Sequence, residues 1–135
     1  MPHSLILPMV AHVALAGLLY TLLTVARAPS IWGIGRRGDG SNPWASVEPH
    51  ISANLSNQFE WPLFFHVACL LLMQLPPSSI AIFLAWAFVI GRLLHSAVQI
   101  LTRNVRLRGL VFSLNFLAVI GLWACVLLTA GNAAT

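Results

Sequence analysis

Glu60 and Arg92 each lie inside a long run of apolar residues. An ionised side chain at membrane depth costs at least about 2.5–3.5 kcal/mol on insertion scales, so such residues normally face a bundle interior or a wet cavity and mark function. The residues around them are regularly spaced. Asn57 and Glu60 stand i, i+3, with Asn54 one turn earlier, so a continuous helix puts all three on one face. Arg92, His95 and Gln99 stand at i, i+3 and i+7, again one face, and a continuing helix adds Arg103 and Arg106. Two polar stripes on neighbouring helices could line one cavity with a basic mouth. The ligand that suits such a cavity is anionic at one end and polar along its length. The plainer alternatives are an ion pair between Glu60 and Arg92, and a His95 that is only a satisfied core residue. On the same view Arg103, Arg106 and Arg108 do no more than hold lipid headgroups.

Lipid is the natural solvent for the elements that must position these residues. The chain is 59% hydrophobic and 7% charged, against about 25% charged for an ordinary soluble domain. So little charge cannot cover a water-facing surface. The length, 135 residues, suits one transmembrane domain over 1–135. Four apolar stretches, about 4–26, 51–75, 80–101 and 110–129, approach the roughly 20 residues that cross a bilayer, which predicts an all-α, integral membrane four-helix bundle. The first stretch carries no Lys or Arg before it and is long for a signal core, so it reads as a retained helix. Residues 27–50, rich in Gly and Pro, read as a loop, with Trp32 and Trp44 at the interface. Pro76-Pro77-Ser78-Ser79 reads as a tight turn with a serine N-cap, and residues 131–135 as a small polar tail.

The formal net charge is +4, from seven Arg and no Lys against Asp39, Glu48 and Glu60. Because these arginines flank apolar spans, they indicate topology and argue against nucleic acid as a partner. Loops 27–50 and 102–109 together hold six arginines and the opposite side holds none, which predicts both loops cytoplasmic and both termini outside. Cys69 and Cys125 fall inside apolar runs and read as packed thiols, and no spacing suggests a metal site. His12 and His66, off both polar stripes, are expected to make interhelical hydrogen bonds.

The run Asn57-Gln58-Phe59-Glu60-Trp61-Pro62-Leu63-Phe64-Phe65 resembles the second-helix motif of the membrane-associated proteins in eicosanoid and glutathione metabolism, the MAPEG family. The resemblance extends to Arg92-Leu93-Leu94-His95-Ser96 and to Arg106, fourteen residues after Arg92. It is nearer to the small bacterial members, which implies a bacterial inner membrane. It implies a homotrimer of four-helix subunits with glutathione as co-substrate near the cytoplasmic side. Asn57 and Glu60 would hold polar and amino groups of glutathione, Arg92 would pair with a carboxylate, and Arg106 would stabilise the thiolate. His95 stands where some relatives place a tyrosine. Ala53 stands where relatives often have an arginine, and Gln99 near where they often have a tyrosine; His50 or Arg103 is a candidate replacement for the lost cation.

The function implied is a glutathione-dependent transferase or peroxidase acting on lipophilic small molecules that enter from the membrane lipids. One alternative is a non-catalytic relative that binds lipid or a partner subunit. Another is a small proton-coupled transporter with Glu60 as its acid.

Overall fold

A computed structural model describes residues 2–76 and 78–133. Among these the chain is helical: a 3-10 turn over Pro2–Leu5, then α1 (Ile6–Trp32), α2 (Glu48–Ser56), α3 (Pro62–Leu72), α4 (Ser79–Leu101) and α5 (Val105–Ala133). Three helices are long and apolar enough to cross a membrane: Ile6–Trp32, Ser79–Leu101 and Val105–Asn132. They match the first, third and fourth expected spans.

The second expected span, 51–75, is not one helix. It is α2 and α3, joined by a turn over residues 57–61. Pro62 opens α3 at a position where a missing N–H is harmless and a fixed φ suits a helix start. The same missing N–H would remove a ladder bond from a helix running through this point. Asn57 and Glu60 therefore share a turn and not a helix face.

Two other boundaries differ. α1 continues past Arg27 and Pro29 to Trp32, where Gly33 at φ 73° ends it. The left-handed C-cap costs glycine nothing. The Gly33 amide and Arg36 Nε both donate to the Pro29 carbonyl, at 3.2 and 2.7 Å, so the last turn's freed acceptors are used. The third loop shrinks to Thr102–Asn104, because α5 already begins at Val105, with the Asn104 side chain accepting from Leu107 N at 3.0 Å. Arg103 lies in this link and Arg106 in the first turn of α5, so neither extends the α4 stripe. The tail expected over 131–135 is helical through Ala133; Ala134 and Thr135 lie outside the described residues, as does Pro77 of the expected turn. Ser78 caps α4 as expected, its side chain accepting from Ala81 N at 3.4 Å.

α4 and α5 pack along their length. α2 packs on α1 and α4, whereas α3 packs mainly on α5. The broken second span thus divides the apolar core. One cluster, around Phe65, Phe88, Val119 and Leu122, fills the half holding α3. The other, Leu15, Leu19, Leu23, Ala26, Ile51 and Leu55, fills the half holding α2. The turn lies between them. In the first loop, Asp39 accepts from the hydroxyl and amide of Ser41 at 2.6 and 2.9 Å, which holds its carboxyl below the usual range.

Candidate functional site

Ending a helix at membrane depth frees backbone carbonyls that lipid cannot satisfy. Arg92 of α4 takes up one of them, its Nη2 donating to Asn57 O at 2.9 Å. Its Nε donates to Gln58 Oε1 at 3.1 Å. Arg92 is only 1% exposed. Among the described residues the one ion pair is Arg27–Glu48, at 2.7 Å. The Glu60–Arg92 pair considered from the sequence is therefore not formed, and Glu60 is exposed in the turn. The hydrogen-bond partners of this buried cation are both neutral oxygens.

Gln58 is the hub. Its Oε1 accepts from Arg92 and from His12 Nε2, the latter at 3.1 Å. Its Nε2 reaches Asn54 O and Oδ1 at 3.2 Å each and Ser96 Oγ at 3.3 Å. Asn54 and Asn57 both donate to Gln99 Oε1, at 2.9 and 3.2 Å. His12 Nδ1 lies 3.0 Å from His66 Nε2, the interhelical bond expected of that pair. One connected layer thus runs from His66 through His12, Gln58 and Asn54 to Gln99, with Arg92 joined at its centre. The turn makes this layer possible, because it lets Asn54, Asn57 and Gln58 all face α4.

The sequence reading of Arg92, His95 and Gln99 as one stripe needs correction. The α4 residues that reach the turn and α2 are Arg92, Ser96 and Gln99. His95 is buried on the α5 side, its ring 6.2 Å from that of Phe112, and its Nδ1 has no hydrogen-bond partner among the described residues. Asn115, fully buried on the same side of α5, also lacks a partner at both Nδ2 and Oδ1. Its Oδ1 lies over Gly91, where a Cβ would collide with it. Trp61 Nε1 is likewise unpartnered, with its ring stacked on Phe116 at 4.8 Å.

The structure therefore gathers Asn54, Asn57, Arg92 and Gln99, sets His95 on the next face of α4, and leaves Glu60, Arg103 and Arg106 exposed. Gln58 was missed. The sequence carries a signal for it: Gln58 stands i+4 from Asn54, a third amide within an apolar run.

A model of the MAPEG family matches residues 5–128. No curated protein and no solved structure matches the chain significantly.

Proposed function

The chain belongs to the MAPEG family, and from that premise we propose that it is a glutathione-dependent transferase or peroxidase acting on lipophilic electrophiles. In this reading it works as a homotrimer in a bacterial inner membrane, with loops 27–50 and 102–109 cytoplasmic. Arg92 is the observation that carries the reading. Its guanidinium is buried at membrane depth, hydrogen-bonded to neutral oxygens and with no carboxylate of the described residues at ion-pair distance. A glutathione carboxylate would supply the missing charge, and Arg forms strong, often bidentate bonds to that group. The amides of Asn54, Asn57 and Gln99 lie beside it for peptide groups. Glu60, in the exposed turn, suits the glutathione amino group.

The chemistry asked of the protein is small. A free thiol has a pKa of about 8.5, so only a few per cent is thiolate at neutral pH, and the thiolate is the nucleophile. A guanidinium within about 4–6 Å lowers that pKa by roughly 1–3 units. Arg106, exposed in the first turn of α5, and Arg103 just before it make no hydrogen bond or ion pair with the described residues, so either is available for the sulfur. Arg106 has the family spacing from Arg92. The thiolate attacks the electrophile, and the leaving group departs with the electron pair. A trimer supplies the remaining walls, since one chain leaves Glu60, Arg103 and Arg106 open.

Glutathione binding to the purified protein tests this. Arg92→Ala is expected to weaken glutathione affinity. Arg106→Leu is expected to abolish the ultraviolet thiolate absorbance and lower turnover more than affinity. No binding at millimolar glutathione overturns the reading. A second reading, a non-catalytic relative, has one observation in its favour: Gln99 already satisfies Asn54 and Asn57 within one chain. Absence of both binding and conjugation in the native protein would select it.

A further inference from the structure

Arg92 can only donate hydrogen bonds, and this fixes the polarity of every group connected to it. Gln58 Oε1, which accepts from Arg92, must be the amide oxygen; its Nε2 correspondingly donates to the Asn54 carbonyl. His12 Nε2 approaches the same Oε1 and so must carry a proton. His12 is 3% exposed and shares its layer with Arg92 and no paired carboxylate. A second buried cation there is strongly disfavoured, so the ring is neutral and its Nδ1 accepts. His66 Nε2 therefore donates to His12. A charged His66 would be a second cation in the layer that already holds Arg92, so this ring is neutral too and its Nδ1 holds an acceptor lone pair with no partner among the described residues.

His66 lines a cavity of about 350 Å³ between α1 and the turn and α3. His12 and Gln58 share that lining at the His66 end, the Tyr20 hydroxyl stands about two turns farther along α1, and the walls between, among them Val13, Ala16, Phe59 and Leu63, are apolar. Such a size suits a small ligand. The cavity lies midway along α1, a membrane-crossing helix, so its ligands arrive through hydrocarbon. His66 is half-buried, and an acceptor that opens onto an apolar cavity at membrane depth has no water to pair with, so the His66 end of the cavity selects for a hydrogen-bond donor.

We propose that this cavity binds a lipophilic molecule whose polar end is a hydroxyl-type donor, bonded to His66 Nδ1. Alcohols, phenols, hydroperoxides and protonated carboxylic acids share that chemistry. Ethers and ketones, which only accept, do not. The proposal stands on the donor–acceptor polarity of the layer, and its test contains no glutathione, so it and the transferase reading fail separately.

The test compares 4-nonylphenol with 4-nonylanisole, which differ in the O–H alone, by saturable binding of each radiolabelled probe to the full chain in detergent. The native protein is expected to hold the phenol about tenfold more tightly, the worth of roughly one buried hydrogen bond. His66→Phe is expected to bring that ratio close to one while the anisole's affinity is kept. Ala16→Trp, which fills the cavity, is expected to abolish saturable binding of both probes. The native ratio decides alone if a variant fails to fold. Equal native affinities, a ratio that survives His66→Phe, or no saturable binding of either probe overturns the proposal; the last outcome means that a second copy of the chain covers the cavity.

Discussion

On the side of α4 that meets α2 and the turn, Arg92, Ser96 and Gln99 each reach a partner, and Gln58 binds the group together. On the side that meets α5, His95 and Asn115 are equally buried, yet His95 Nδ1 and both polar atoms of the Asn115 amide have no partner among the described residues. One helix thus carries a matched polar layer and an unmatched polar seam back to back. Each buried group left unpaired costs about 1–3 kcal/mol. The matched layer fixes geometry, because every donor has a designated acceptor. The unmatched seam is maintained at a loss, and native proteins accept such losses mainly at functional sites.

The sharpest way to break this comparison is Gln58→Leu. It leaves the buried Arg92 Nε and His12 Nε2 without their shared acceptor, and the expected loss is about 3–5 kcal/mol, as for a buried charge deprived of its partner. Reversible unfolding in mixed micelles measures it. A loss under about 1 kcal/mol would mean that the layer is not a load on folding at all.

Gly91→Ala probes the seam at its tightest point. The new Cβ would collide with Asn115 Oδ1, and overpacking of this kind costs about 1–3 kcal/mol. Pairing it with Asn115→Ala should recover most of that loss, which a double-mutant cycle in the same assay reads out.

Asn115→Leu should have the opposite sign. It replaces an unpartnered amide with an apolar group of similar shape and is expected to be neutral or to add about 1–2 kcal/mol. A clear loss would instead reveal that Asn115 finds its partner outside the single chain. The smallest effect belongs to Glu48→Gln. It removes the part-exposed Arg27–Glu48 pair, should cost about 0.2–1 kcal/mol, and should lose even that effect in high salt.

The spans α1, α4 and α5 were legible because continuous apolar runs near twenty residues leave a chain few alternatives in lipid. The break in the second span was not read, although Pro62 signals it, because hydropathy averages over a turn whose flanks are both apolar. Missing the break carried a second error with it. Residues 54, 57, 58 and 60 change direction there, so helical spacing put Glu60 beside Asn57 and overlooked Gln58. Arg92 was legible as a buried, consequential charge from type and position alone. Its partner was not: a carboxylate inside the neighbouring apolar run looked natural, whereas neutral oxygens at the turn are what it holds. The direction of His95 depends on which side α5 packs, and no spacing within α4 reports that.

The short lengths of α2 and α3 bear on how the protein enters its membrane. At 11 residues α3 extends about 16 Å, and α2, at nine, about 14 Å, against a hydrocarbon core of roughly 30 Å. Neither is a complete insertion signal by itself. The next segment to be synthesised, α4, carries Arg92, whose burial is unfavourable until Gln58 and Asn57 O are within reach. In order of synthesis the acceptors precede the donor. The stretch from α2 to α4 is therefore complementary as a unit: the turn offers acceptors that no lipid would satisfy, α4 brings the donor, and a chain cut between them would hold an incomplete crossing.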